Sequence, residues 1–150
     1  MKTTLKKSGI ILIGLVLSGI TLEINHTFTQ TVTKPKCKPW LVPEVEGTKK
    51  NPVKAGDEID LRTGRTLWIQ YCKSCHGLTG KGDGPKTGEL ETLCPDFSAK
   101  EFQSQTDGEL FWKVTEGRKP MPSHKQKLTD DERWAVVSYT RTFRGAEIVK

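Results

Sequence analysis

Tyr71-Cys72-Lys73-Ser74-Cys75-His76-Gly77 sets two thiols three positions apart and an imidazole directly after the second. On one helical turn that spacing brings both sulfurs to the same side. There they can add to the two vinyl groups along one porphyrin edge, while the next residue aims its ring at the iron. The pattern C-x-x-C-H is the attachment signature of a covalently held c-type haem. A structural zinc site needs four ligands, usually as two spaced pairs, and the chain has no second C-x-x-C and no H-x-x-x-H. A thioredoxin-like dithiol belongs in a βαβ pattern, which the surrounding sequence lacks. A disulfide closed inside the motif would be strained and would leave His76 without a role.

Outward from this motif the chain reads as short helices separated by Gly- and Pro-rich loops. Asp57 to Tyr71 distributes Ile59, Leu61, Leu67, Trp68 and Tyr71 among polar residues at helical spacing, despite Gly64. Gly77 to Gly88 holds five glycines and one proline and predicts a loop. Thr106-Asp107-Gly108-Glu109 forms a capping box ahead of Leu110, Phe111 and Val114, with Gly117 as a stop. Thr129-Asp130-Asp131-Glu132 forms another, opening a helix through Trp134, Val137, Tyr139 and Phe143 that ends at Gly145. No hairpin or βαβ unit is evident. The expected fold is all-α: three to five short helices around one covalently attached haem over residues 57–150. A core that small needs a cofactor or a staple to complete it.

The first third of the chain differs in character. Met1 to Lys7 is short and basic, and Ser8 to Leu22 is a fifteen-residue uncharged, mostly apolar run closed by Glu23. That is the layout of a secretory signal, short for a bilayer-spanning helix of about 20 residues. No Ala-x-Ala marks a cleavage site, so residues 1–23 are a signal peptide or, if retained, a membrane anchor. Residues 24–56 carry Pro35, Pro39, Pro43 and Pro52 among six lysines and predict an extended tether, pinned to the domain by Trp40, Leu41 and Val42. The net charge of +6 divides into +2 over residues 1–33, +4 over 34–56 and zero over 57–150, where fifteen basic side chains balance fifteen acidic ones. The neutral domain removes the net-charge argument for polyanion binding, and no nucleic acid is expected as a partner.

Gly64-x-x-x-Trp68, Cys72-x-x-Cys75-His76-Gly77, Gly80-x-Gly82-Asp83-Gly84-Pro85, Gly117-x-x-x-Met121-Pro122 and Leu128-Thr129-Asp130-Asp131-Glu132 with Tyr139 together resemble the class I, mono-haem bacterial c-type cytochromes. The resemblance spans Asp57 to Phe143 and implies roles residue by residue. Cys72 and Cys75 attach the haem and His76 is the proximal iron ligand. Apart from Met1, Met121 supplies the chain's one thioether; it lies 45 residues beyond His76 between two expected helices and is the implied distal ligand. His124 is the rival, although a surface histidine beside Lys125 is the ordinary reading. In this family a proline at the place of Pro85 accepts the imidazole Nδ1–H through its carbonyl, orienting the ring. Gly64 and Trp68 are expected to pack against Trp134 or Tyr139. Trp112 and Arg118 are either propionate donors or, for Trp112, simple packing.

Cys37 and Cys94 remain after haem attachment, as a pair closing a 58-residue loop or as separate thiols. Five basic residues and one acid lie between Lys113 and Lys127, whereas six acids and one lysine lie between Glu89 and Glu109. Lys113, Lys119, Lys125 and Lys127 therefore form a candidate docking region for an acidic redox partner. The function expected is an exported, non-enzymatic one-electron carrier in the periplasm or at the outer face of the cytoplasmic membrane. Two alternatives stand beside it: the haem subunit of a larger membrane oxidase or dehydrogenase, and a haem enzyme or gas-binding protein with a labile Met121.

Overall fold

The structure is a computed structural model and describes residues 39–145. The expected signal or anchor segment, and Cys37 with its pairing to Cys94, lie outside the described residues.

Three helices of ten residues or more form the frame: α2 (Glu58–Leu67), α5 (Asp107–Glu116) and α6 (Asp130–Arg141). Single turns α1 (Glu44–Gly47), α3 (Lys73–His76) and α4 (Lys100–Gln103) join them, and the described residues contain no β-strand. Each long helix starts where its first residues dictate. Asp57 caps α2 by accepting from the Asp60 amide. Thr106 and Glu109 close a reciprocal capping box on α5, as do Thr129 and Glu132 on α6. Replacing Thr129 by Ala removes the acceptor for the Glu132 amide, 3.2 Å away. The expected result is a loss of about 1 kcal/mol in the denaturant midpoint analysis, with the absorption spectrum unchanged.

The helix expected over 57–71 runs further than its periodicity indicates. After Leu67 the backbone loosens into a π-helical turn, Trp68–Cys72, and tightens again into α3, so Cys72, Cys75 and His76 continue directly from α2. That helix crosses α6 at Gly64. A Cβ there would lie 2.1 Å from the Ala135 carbonyl oxygen and 2.8 Å from Tyr139 Cβ, so only glycine permits the approach. Trp68, almost fully buried, meets Tyr139 at 6.1 Å and Phe143 at 5.0 Å between ring centroids. Trp134 turns the other way, stacking on Phe111 of α5 at 4.0 Å. Of the two partners expected for Gly64 and Trp68, Tyr139 is the one that meets both.

The core continues through Leu67, Leu128 and Val136 on one side, and through Trp68, Phe97 and Phe143 on the other. Buried polar groups are tied into it. Gln103 donates to the carbonyls of Phe97 and Thr140 at 2.7 and 3.0 Å, and Arg133 donates to the Leu128 carbonyl at 2.6 Å.

Within the stretch expected to be extended, residues 44–47 instead form a helical turn. The cause is tertiary. Thr106 Oγ1 donates to the Gly47 carbonyl at 2.7 Å, Asn51 Nδ2 donates to Ser138 Oγ at 2.9 Å, and the Glu46 and Lys49 carbonyls close over Gly108. Trp40 packs edge-on against Trp112 with centroids 6.0 Å apart, whereas Leu41 is exposed and pins nothing.

Candidate functional site

Cys72 and Cys75 bracket the turn that delivers His76, and all three are partly buried. The loop that follows folds back over that turn. Gly77 leaves α3 with φ of +79°, close against Asp83. The Gly82 amide donates to the His76 carbonyl at 2.9 Å, and Thr87 Oγ1 donates to the Cys75 carbonyl at 2.9 Å. Gly84 lies so close that a Cβ would meet the Lys73 and Ser74 carbonyl oxygens at 2.5 Å. Trp68 Nε1 donates to the Gly77 carbonyl at 3.0 Å, tying this corner to the core. The glycines expected to make a loop therefore serve close packing around the histidine's backbone.

The His76 ring lies 4.8 Å from Phe97 and 5.8 Å from Trp68, centroid to centroid. Burial, with His124 adding to it, lowers its pKa to about 4. The imidazole is then neutral at neutral pH, the form with a lone pair to give a metal. Its Nδ1 is buried with no hydrogen-bond partner. Pro85 opens a 3₁₀ turn, Pro85–Glu89, beside the motif, but the bond from His76 Nδ1 to its carbonyl is not formed here. Burial and the neighbouring Cys75 push the Cys72 thiol up to about 12, so it is held protonated.

Met121 lies on a loop fixed at both ends. Its amide donates to the Arg118 carbonyl and the Arg118 amide donates back to the Met121 carbonyl, each at 2.9 Å. Gly117, with φ of +64°, packs under Pro122. Ser123 Oγ donates to the Thr115 carbonyl at 2.6 Å, and the His124 amide donates to the Val114 carbonyl at 3.2 Å, seating the loop on the end of α5.

His124 departs from its expected surface position. It is 4 % exposed, its ring meets Tyr71 edge-on at 5.9 Å, and its Nδ1 is buried and unpartnered. Nothing in Ser123-His124-Lys125 signals this; the burial follows from the loop's attachment to Val114 and Thr115. Trp112 and Arg118 both meet the segment ahead of α1, and Trp112 packs as the second of its two expected readings has it. The Arg118 guanidinium lies 4.6 Å from the Trp40 ring centroid and donates to the Pro39 carbonyl at 3.0 Å. Trp112 packs against Trp40 in the same cluster.

The four lysines of the candidate docking region are not equivalent. Lys113 turns toward Trp40 and bonds Gln105, and burial lowers its pKa. Lys125 pairs with Glu116 at 3.5 Å. Lys119 and Lys127 are exposed.

The donor set fits a covalent haem. Two thiols precede a neutral, partly buried imidazole with an unpartnered nitrogen, and Trp68 and Phe97 lie against its ring. Among the described residues no group of three or more His, Cys, Asp or Glu could hold a bare metal ion, and no helix is long and apolar enough to cross a membrane.

A family model described as "Cytochrome C oxidase, cbb3-type, subunit III" matches residues 59–139. Cytochrome c6 of Diacronema lutheri is 29 % identical over 89 residues, which cover 57 % of this chain and 99 % of that protein. Among solved structures, a chain of the Kuenenia stuttgartiensis reducing HAO-like protein complex Kustc0457/Kustc0458 is similar with a TM-score of 0.56 and 28 % identity. The match covers 62 % of this chain and 47 % of that one, so the chain spans about half the length of that relative. The KustC0563 c-type cytochrome is 31 % identical with a TM-score of 0.48, over 54 % of this chain and 96 % of that one.

Proposed function

Because the chain belongs to the cytochrome c family described by the cbb3-type subunit III model, a class I c-type cytochrome with covalently bound haem c, we propose that it is an exported mono-haem carrier of single electrons. When bound, the haem supplies the one-electron iron couple. Cys72 and Cys75 hold it through thioethers. His76 gives the proximal nitrogen, with its ring enclosed by Trp68 and Phe97. Met121 would give the distal sulfur, a soft donor that favours the reduced state.

The observation that carries this reading is the double backbone bond between Arg118 and Met121. A thioether is a weak ligand, and the paired bonds to Arg118 would help hold Met121 in place as one. Were His76 and Met121 both to hold the iron, no position would remain for a substrate, which supports electron transfer over peroxide or gas chemistry. Pro85 is assigned a positioning role, its carbonyl accepting from His76 Nδ1, which has no other partner. Oxidised and reduced spectra of the mature protein test the assignment. A methionine-to-iron charge-transfer band and failure to bind carbon monoxide are expected; high-spin ferric iron with rapid carbon monoxide binding would refute it.

Docking is proposed through the exposed Lys119 and Lys127, with Lys125. Reversing all three to Glu is expected to slow reaction with anionic ferricyanide about tenfold at low ionic strength, with the difference vanishing at high salt. Equal rates at low salt would remove steering by this cluster. A second reading, a haem subunit within a larger redox complex, is favoured by the likeness to one chain of the reducing HAO-like complex. Co-purification with a membrane complex would distinguish it from a free carrier. As an exported protein, either form would reside in the periplasm or at the outer face of the cytoplasmic membrane.

A further inference from the structure

Four buried side-chain atoms among the described residues lack a hydrogen-bond partner, and two of them are imidazole nitrogens, His76 Nδ1 and His124 Nδ1. Leaving such a nitrogen unpaired in a core costs about 1–3 kcal/mol, so a second buried histidine in this state needs a reason. His124 shares the loop of Met121, three residues on, and that loop is anchored at Arg118, at Val114 and at Thr115. Its own carbonyl accepts from the Lys127 and Leu128 amides at 3.0 and 2.9 Å, so the backbone is held on both sides of the ring. The ring faces Tyr71, the residue next to Cys72. Met121 and His124 thus form two neutral donors on one pinned loop, and the ring of His124 turns toward Tyr71 beside the proximal motif.

We infer that His124 is a reserve distal ligand: when the Met121 thioether withdraws, a ring nitrogen of His124 takes its place, and the coordination passes from His/Met to His/His without opening the site. This rests on the assignment of Met121 as the resting ligand. The exchange breaks one iron–sulfur bond and forms one iron–nitrogen bond. Both ligands are neutral, so no proton or electron is transferred. A second imidazole favours the oxidised state relative to a thioether, so the exchange lowers the reduction potential. The chain thereby has two potential settings, selected by which donor of that loop holds the iron.

The experiment compares ferric wild type, Met121→Ala, Met121→Leu, His124→Phe and the two Met121/His124→Phe doubles by absorption, electron paramagnetic resonance and imidazole titration. Met121→Leu keeps the bulk should the alanine variant fold poorly. Expected are a methionine charge-transfer band in wild type and His124→Phe, and its loss in both Met121 variants with a low-spin, bis-imidazole signal retained. The doubles become high-spin. If His124 fills the place nine-tenths of the time, external imidazole binds the single Met121 variants about tenfold more weakly than the doubles. Met121 variants as high-spin as the doubles would overturn the inference and leave the Met121 assignment intact. A wild type without the charge-transfer band would overturn that assignment instead. In that event His124→Phe turning high-spin would establish His124 as the ligand, and His124→Phe remaining low-spin would dismiss both.

Discussion

Changing Cys72 and Cys75 together to Ser is expected to yield a colourless polypeptide whose intact mass lacks the haem entirely. The effect reaches beyond the cofactor. His76 reaches its site as the last residue of α3, and α3 continues from α2 through the π-helical turn Trp68–Cys72. Partly buried Cys72 packs with Tyr71 against Leu67, Leu128 and Val136, and also against Trp68, Phe97 and Phe143, so it touches two core clusters. Without the two thioethers, a domain this small loses both its staple and a large share of its apolar contact. Helical signal should survive in part while the cooperative thermal transition broadens or disappears. Single serine variants, each keeping one thioether, should retain colour with a shifted reduced-state maximum. A double variant that still carries covalent haem would remove these two residues from the attachment role.

Gly64→Val is expected to cost about 3 kcal/mol or more, enough to leave little folded protein at moderate temperature. The new Cβ would fall 2.1 Å from the Ala135 carbonyl oxygen and 2.7 Å from its carbon. These are backbone atoms of α6, which a rotamer change cannot move aside. Relief requires α2 to lift from α6, and any such shift carries the Cys72-to-His76 turn with it. Gly88→Ala is the matched control, because nothing lies within 4 Å of a Cβ there, and it should unfold at nearly the wild-type midpoint. Equal denaturation midpoints for Gly64→Val and wild type would show that the helix crossing is looser than described.

What could be read in the chain beforehand follows the range of the interactions. The capping boxes at Thr106 and Thr129 are closed within three residues, so the pattern alone locates the starts of α5 and α6. The haem motif is similarly local. Gly64 was legible as a contact toward the last helix, although the long-range choice of Tyr139 over Trp134 was not. The turn at 44–47 was hidden because its stability comes from Thr106 and Gly108, about sixty residues away, rather than from its own propensities. His124 was hidden for the same reason. A histidine amid Ser123 and Lys125 looks solvent-facing until Val114 takes its amide and Tyr71 covers its ring. Arg118 looked like an anion donor, and its geometry is set instead by Trp40, seventy-eight positions earlier in the chain.

The contact of Pro39 and Trp40 with Arg118 sets the start of the described chain beside the loop of Met121. Arg118 is the backbone partner of Met121, so segments nearly eighty positions apart meet at one residue. A change at Trp40 would therefore be felt next to the proposed sulfur ligand.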